Sequence, residues 1–203
     1  MLEVSELECA RGDRVLFRDL GFTLAPGRLL HLQGANGSGK TTLLRALAGL
    51  SQPLRGEIRW RGTPIAQQRD AFAASLCYVG HLNALQGELN AIENLRFAAR
   101  LNGHGAGTVE HALDRLGLAS HAHLPAKVLS QGQKRRLALA RLLLADKPLW
   151  LLDEPFTALD AASCTRIGAL LDDHLAVGGM VVMASHQALG TDAARIQILV
   201  LNN

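Results

Sequence analysis

Residues 33–42 read QGANGSGKTT, and the rest of the chain takes its place around them. Gly34, Gly39, Lys40 and Thr41 fill every specified position of the G-x-x-x-x-G-K-[ST] phosphate-binding pattern, with Ala35, Asn36, Gly37 and Ser38 between them. An apolar run at 29–32 precedes the motif, and 42–48 carries apolar residues at helical spacing, so the loop is predicted to join a strand to a helix. Three glycines let the backbone curl until successive N–H groups point at a β- and γ-phosphate, aided by the positive end of the helix dipole. Lys40 would reach the β- and γ-oxygens, the Thr41 hydroxyl would ligate Mg²⁺, and Thr42 completes the nucleotide-contacting stretch. An ordinary glycine-rich turn capping a helix competes with this reading, but it requires neither the lysine nor the threonine in register.

With 203 residues the chain is long enough for one sizeable core, and a single domain spanning 1–203 is expected. Its 48% hydrophobic and 19% charged content suits a folded protein and argues against disorder. The net charge of +3 is spread along the chain, with no basic run longer than Lys134-Arg135-Arg136, so no nucleic-acid partner is expected. A mildly basic surface would equally suit nearby anionic lipid headgroups. Cys9, Cys77 and Cys164 are far apart, odd in number and outside any C-x-x-C, which reads as reduced thiols in a cytosolic compartment. The opening MLEVSELECARGD carries acidic residues and no basic-then-apolar order, so it does not read as a secretion signal. Apolar runs at 142–145 and 180–184 fall far short of the roughly 20 residues that span a bilayer, so any membrane role would come through a partner.

Alternation over 2–9 and short apolar stretches at 14–17 and 22–24 predict a small antiparallel β layer ahead of the loop, with Pro26-Gly27 as a turn. The helix after Lys40 should stop at Gly49, and 56–60 reads as a strand closed by a turn at 62–64. SLCYVG at 75–80 is a buried-strand candidate. From Leu89 the pattern turns helical, with Ile92, Leu95, Phe97 and Leu101 assigned to one face and Val109, Ala112, Leu113 and Leu116 to the next, across a Gly-rich hinge at 102–107. No strand is expected between Gly80 and Ser130, so about 82–129 reads as a helical insertion. A helix then runs from Gln131 to about Ala145, followed by a strand at 149–152, a helix at 160–177, and strands at 180–184 and 196–201. Strands alternating with helices point to a parallel α/β sheet.

Leu149-Trp-Leu-Leu-Asp153-Glu154 is an apolar strand that ends in an aspartate. An isolated Asp-Glu there is ordinarily only a strand end; after a matched phosphate loop, Asp153 becomes the candidate to hold Mg²⁺ and Glu154 the candidate to polarise an attacking water. Leu129-Ser130-Gln131-Gly132-Gln133 then resembles the LSGGQ signature of ATP-binding cassette proteins. The D-loop-like Thr157-Ala-Leu-Asp160 and the switch-like Ser185-His186 follow in the family's order, so the resemblance covers nearly the whole chain.

The resemblance implies an α/β phosphate-loop NTPase of the ABC type, with a RecA-like parallel sheet core, an N-terminal antiparallel β layer and a helical subdomain over about 82–129. It also implies a head-to-tail homodimer in which ATP and Mg²⁺ lie between the phosphate loop of one cassette and Ser130 and Gly132 of the other, with Asp160 crossing the interface. Ser130 would also cap its own helix, and the two uses are compatible. By resemblance, His186 hydrogen-bonds the γ-phosphate and helps hold Glu154.

Two positions depart from the family pattern. His81 stands where most cassettes carry a glutamine that touches Mg²⁺, and its shorter reach leaves its metal role open. Arg11 stands where an aromatic usually stacks on adenine; a guanidinium plane can stack in its place. Gly80-His81, Asp153-Glu-Pro-Phe-Thr157, Cys9-Ala-Arg11 and Gly178-Gly179 resemble the ATP-binding subunits of bacterial cytochrome c maturation systems, the haem exporters. That implies integral membrane subunits as partners and a peripheral place on the cytoplasmic face of the inner membrane. Another ABC transporter, or a soluble non-transport cassette, is the alternative, although the sequence has neither the long coiled coil nor the second cassette of the soluble kinds. His121-Ala-His123 lacks a third ligand at metal spacing and reads as a solvated loop.

Overall fold

The computed structural model describes residues 1–101, 109–144, 146–186 and 192–201. The expected hinge at 102–107 and the expected helix end at Ala145 lie outside these. Five strands form a parallel sheet: β3 (Leu29–Gln33), β6 (Leu76–Val79), β7 (Leu149–Asp153), β8 (Met180–Ala184) and β9 (Ile196–Val200), in the order β6-β7-β8-β3-β9. β7 and β8 are buried along their whole length, which is why their sequences are unbroken apolar runs up to the Asp153 carboxylate.

The expected antiparallel layer is a second sheet, β2-β1-β4-β5, built from β1 (Leu2–Arg11), β2 (Arg14–Leu24), β4 (Arg55–Trp60) and β5 (Thr63–Pro64). The two short stretches read at 14–17 and 22–24 are one strand, because shifts in the β1–β2 register between Val4 and Ala10 absorb the polar residues between them. Asp19 takes a left-handed φ of 51° in that segment.

The core divides on the two faces of the parallel sheet, as the two-residue period of a strand requires. Leu149 and Leu151 point toward the antiparallel sheet and α1 (Lys40–Leu47), meeting Leu2, Leu7, Leu43 and Leu47. Trp150 and Leu152 point the other way, among Ile167 and Leu171 of α6 (Ala161–Ala176) and Leu137 of α5 (Gln131–Leu139). Each fully buried leucine contributes about 1.5–3 kcal/mol, so the strand that carries Asp153 is clamped from both sides.

α1 ends at Leu47, and Gly49 takes φ 71° as expected of a helix stop. A short helix α2 (Arg69–Ala73), which the sequence did not signal, precedes β6. Between Gly80 and Ser130 the described residues hold α3 (Ala91–Leu101), α4 (Val109–Arg115), two 3₁₀ turns and one isolated bridge, Asn90 to Pro125, but no strand. α4 buries Val109, Ala112 and Leu113, as read from its spacing. α3 differs: it buries Ala91, Ile92, Leu95, Ala98 and Ala99, while Phe97 and Leu101 are 51% and 73% exposed. Five residues past Ile92, Phe97 sits about 140° round the helix and cannot share its face. α5 also departs from its expected length, tightening into a 3₁₀ turn over Ala140–Leu143. Among the described residues, no helix is long and apolar enough to cross a membrane.

Candidate nucleotide site

The phosphate loop runs from the end of β3 to the start of α1, at the C-terminal edge of the parallel sheet. Gly39 is the residue before the helix, at φ 102°, a conformation that L side chains rarely adopt. Gly34 has no room for a side chain: a Cβ there would lie 2.5 Å from Ser38 Oγ and 2.6 Å from the Leu201 carbonyl oxygen. Lys40 Nζ donates to the carbonyls of Gly34 at 2.7 Å and Ala35 at 3.1 Å, so the lysine braces its own loop. Ser38 Oγ is buried and, among the described residues, without a hydrogen-bond partner, and an orphaned buried hydroxyl costs about 1–3 kcal/mol. A cradle of backbone amides with a lysine and an unsatisfied hydroxyl suits a polyphosphate.

β7 delivers the acidic side of the site. Asp153 is buried at 2% exposure, and Thr41 Oγ1 donates to its Oδ2 at 2.9 Å. These two oxygens are hard donors at the foot of the loop, the donor set that Mg²⁺ accepts while keeping several waters. The next residue, Glu154, has φ 50°, a left-handed backbone at a non-glycine position. Its N–H donates to the Ala184 carbonyl at 2.8 Å, which ties it to the end of β8. Its Oε1 lies 3.5 Å from His186 Nε2, and that same nitrogen lies 3.2 Å from Asn36 Oδ1. His186 therefore bridges the phosphate loop and the carboxylate.

These groups open on one cleft of about 260 Å³. Asn36, Gly37, Gly39, Lys40, Thr41 and Thr42 line one wall and His81, Asp153 and Glu154 another, with Arg11 and Leu16 closing it from the β1–β2 hairpin. Leu16 is an addition to the expected set. Phe17, beside it, is buried as core.

Ser130, Gly132 and Asp160 do not line this cleft. Ser130 caps α5, its Oγ accepting from the Gln133 N–H at 3.2 Å while Gln133 Oε1 accepts from the Ser130 N–H at 2.8 Å, a reciprocal capping box. Gly132 lies against the turn before Asp160, where a Cβ would come within 2.7 Å of the Ala158 carbonyl oxygen. Asp160 caps α6, Oδ1 accepting from the Ser163 N–H at 2.7 Å. Hydrogen bonds from Ser163, its hydroxyl first and its amide second, hold the Asp160 carboxyl below its ordinary range.

Two further residues at the site are not singled out by the sequence. His31 is buried in β3, and its Nε2 donates to the Ser185 carbonyl at 2.9 Å while Gln33 Nε2 donates to its Nδ1 at 3.3 Å. It fixes the strand end that precedes His186. In the sequence Arg135 is only part of a basic run, yet it is 4% exposed. Its guanidinium donates to the carbonyls of Gly80, Asp153, Glu154 and Pro155 and to Asn83 Oδ1. Burial pushes its pKa down, opposed by the nearby Asp153 and Glu154 carboxylates. The usable signal was helical spacing, since Arg135 stands three and four residues before the buried Ala138 and Leu139.

The sequence profile of ABC transporters matches residues 17–157, from the β1–β2 hairpin through the phosphate loop and the Asp153-Glu154 strand end. The chain belongs to the ABC transporter family. As a cassette of that family it binds and hydrolyses ATP. The cytochrome c biogenesis ATP-binding export protein CcmA of Dechloromonas aromatica is 51% identical over 201 residues, 98% of either chain. The protein of the same name from Methylococcus capsulatus is 52% identical over 185 residues, 90% of this cassette and 89% of its own length. A solved ATP-binding subunit of an ABC transporter matches with a TM-score of 0.88 at 26% identity, covering 100% of this cassette and 86% of its own chain. The expected α/β phosphate-loop fold is therefore the fold of the family.

Proposed function

We propose that this cassette is the ATP-hydrolysing subunit of a transporter complex in c-type cytochrome biogenesis, concerned with haem export or delivery. It would sit peripherally on the cytoplasmic face of the bacterial inner membrane, bound to integral membrane subunits. What supports the reading is near-full-length identity to relatives named for that process, together with the cleft that joins Lys40, Thr41, Asp153 and Glu154.

In this reading the loop amides from Gly34 to Thr42 and Lys40 bind the β- and γ-phosphates. Thr41 and Asp153 would hold Mg²⁺, which when bound would neutralise phosphate charge. Glu154 accepts a proton from the attacking water as the water oxygen bonds to the γ-phosphorus and the bond to the leaving ADP oxygen breaks, giving ADP and phosphate. His186, already within reach of Glu154 and Asn36, keeps the base turned toward the γ-phosphate. Arg11 covers the base end of the nucleotide. Two cassettes pair head to tail, so that Ser130, the Gly132 amide and Asp160 of each complete the other's cleft. The described part of 82–129, with α3 and α4, would be the helical subdomain that meets the membrane subunits. The γ-phosphate adds charge-assisted contacts to both copies, and these are lost with phosphate release, which drives the membrane partner between states.

Affinity purification of the Glu154→Gln chain with ATP, from cells carrying the membrane subunits, tests this assignment. The expected result is a nucleotide-bound pair of cassettes retained with membrane proteins of c-type cytochrome assembly. Recovery with an unrelated permease would reassign the transporter, and a monomer at saturating ATP would end the two-copy reading.

A further inference from the structure

A guanidinium has five N–H groups, and all five of Arg135 are directed at acceptors on the two loops that flank the cleft. Nε donates to the Pro155 carbonyl at 3.4 Å; Nη1 to the Gly80 carbonyl at 2.8 Å and Asn83 Oδ1 at 3.2 Å; Nη2 to the Asp153 carbonyl at 2.6 Å and the Glu154 carbonyl at 3.0 Å. Three consecutive carbonyls around the candidate base are thus held by one side chain, as is the carbonyl immediately before His81. Glu154 is also the residue whose backbone is left-handed at φ 50°. Such a conformation is strained in a non-glycine residue and persists only where its surroundings over-determine it. Arg135 supplies that determination from one side, and the Glu154 N–H bond to Ala184 at 2.8 Å supplies it from the other.

The side chain comes from α5, the helix that Ser130 opens. Arg135 lies two residues after the Gln133 of the capping box, so one short helix presents its N-terminus outward and anchors the Asp153-Glu154-Pro155 backbone inward.

We propose that Arg135 is a positioning residue for ATP hydrolysis: it holds the backbone of Glu154, and of the Gly80-His81 turn, in register with the helix that carries Ser130. This rests on Glu154 being the base. A lysine keeps the charge but has three donors on one nitrogen and cannot span acceptors on both loops, and a glutamine reaches fewer still. The consequence falls on turnover and leaves ATP binding by the phosphate loop intact.

The test uses the full chain with MgATP and the variants Arg135→Lys, Arg135→Gln, Glu154→Gln and the Arg135→Lys/Glu154→Gln double. Phosphate release, KM, nucleotide affinity and melting temperature are measured, with single-turnover incubations over hours for the slow variants. Arg135→Lys is expected to lower kcat by about 10–100-fold with KM and nucleotide affinity within about 3-fold of the parent, and Arg135→Gln to lower it further. In the Glu154→Gln background, Arg135→Lys should add no further loss, because both changes act through the same carboxylate. Full multiplication of the two losses, a parallel loss of nucleotide affinity, or parental kcat in Arg135→Lys beside an inactive Glu154→Gln would overturn the role of Arg135 alone. Parental turnover in Glu154→Gln would overturn the base assignment itself, and the role of Arg135 with it.

Discussion

The two motif faces of this cassette are built on different principles. The phosphate-loop face is assembled at the C-terminal edge of a sheet whose central strands β7 and β8 are buried on both sides: Asp153 is 2% exposed, and Thr41 and Lys40 are already hydrogen-bonded to their neighbours. The signature face consists of helix ends, with Ser130 and Asp160 exposed and each hydrogen-bonded to the first turn of its own helix. One is a finished cleft; the other, among the described residues, presents two helix-capping side chains at the surface. Precision in the first face comes from burial of its supports, whereas the second is set by capping residues that need only their own helices.

Substitutions on each face should separate these roles. Glu154→Gln is expected to have the largest effect, lowering steady-state phosphate release by about 10²–10⁴-fold with ATP binding retained. Parental turnover in that variant would remove the catalytic half of the contrast. Lys40→Ala takes away both the loop brace and the phosphate contact, and should weaken ATP binding by roughly 10–100-fold, read by nucleotide titration. Unchanged affinity there would mean that the finished cleft is not where the triphosphate sits. Ser130→Ala should leave binding to the isolated chain unchanged, lower turnover by about 10-fold or more, and cost about 1 kcal/mol through the lost cap, seen as a small drop in melting temperature. Full activity in monomers held apart, with Ser130 dispensable, would make the second face irrelevant. His81→Gln sharpens the comparison at its boundary, since His81 lines the cleft yet departs from the family pattern. Turnover within about 3-fold of the parent is expected for an interchangeable hydrogen-bonding group, whereas an inactive variant would assign His81 to coupling with the membrane partner.

Much of this architecture was legible because the decisive elements are local. The strand, loop and helix at 29–48 follow one another without interruption, β7 and β8 are continuous apolar runs, and Ser130 with Gln133 spells its own capping box. What escaped depends on partners distant in sequence. Arg135 reads as a surface charge until β6, β7 and α5 meet; its acceptors lie up to 55 residues away. His31 reads as a polar interruption in β3 until the Ser185 carbonyl, 154 residues on, receives its N–H. Phe97 reads as core by its size, but the helical angle decides: the buried face is Ile92 and Leu95 with the small Ala91, Ala98 and Ala99. The strand over 14–24 looked broken because a bulged register can carry polar residues that a regular one cannot.

The left-handed φ of Glu154 also bears on how the protein can change. Glycine would sit there without strain, and its relief of about 1–2 kcal/mol roughly offsets the chain entropy that glycine loses on folding. A Glu154→Gly chain should therefore melt close to the parent and still bind ATP while releasing almost no phosphate. The carboxylate stands where the backbone would accept glycine, so at this position fitness for work and fitness to fold are decoupled, and a soluble, well-behaved descendant can be a dead one.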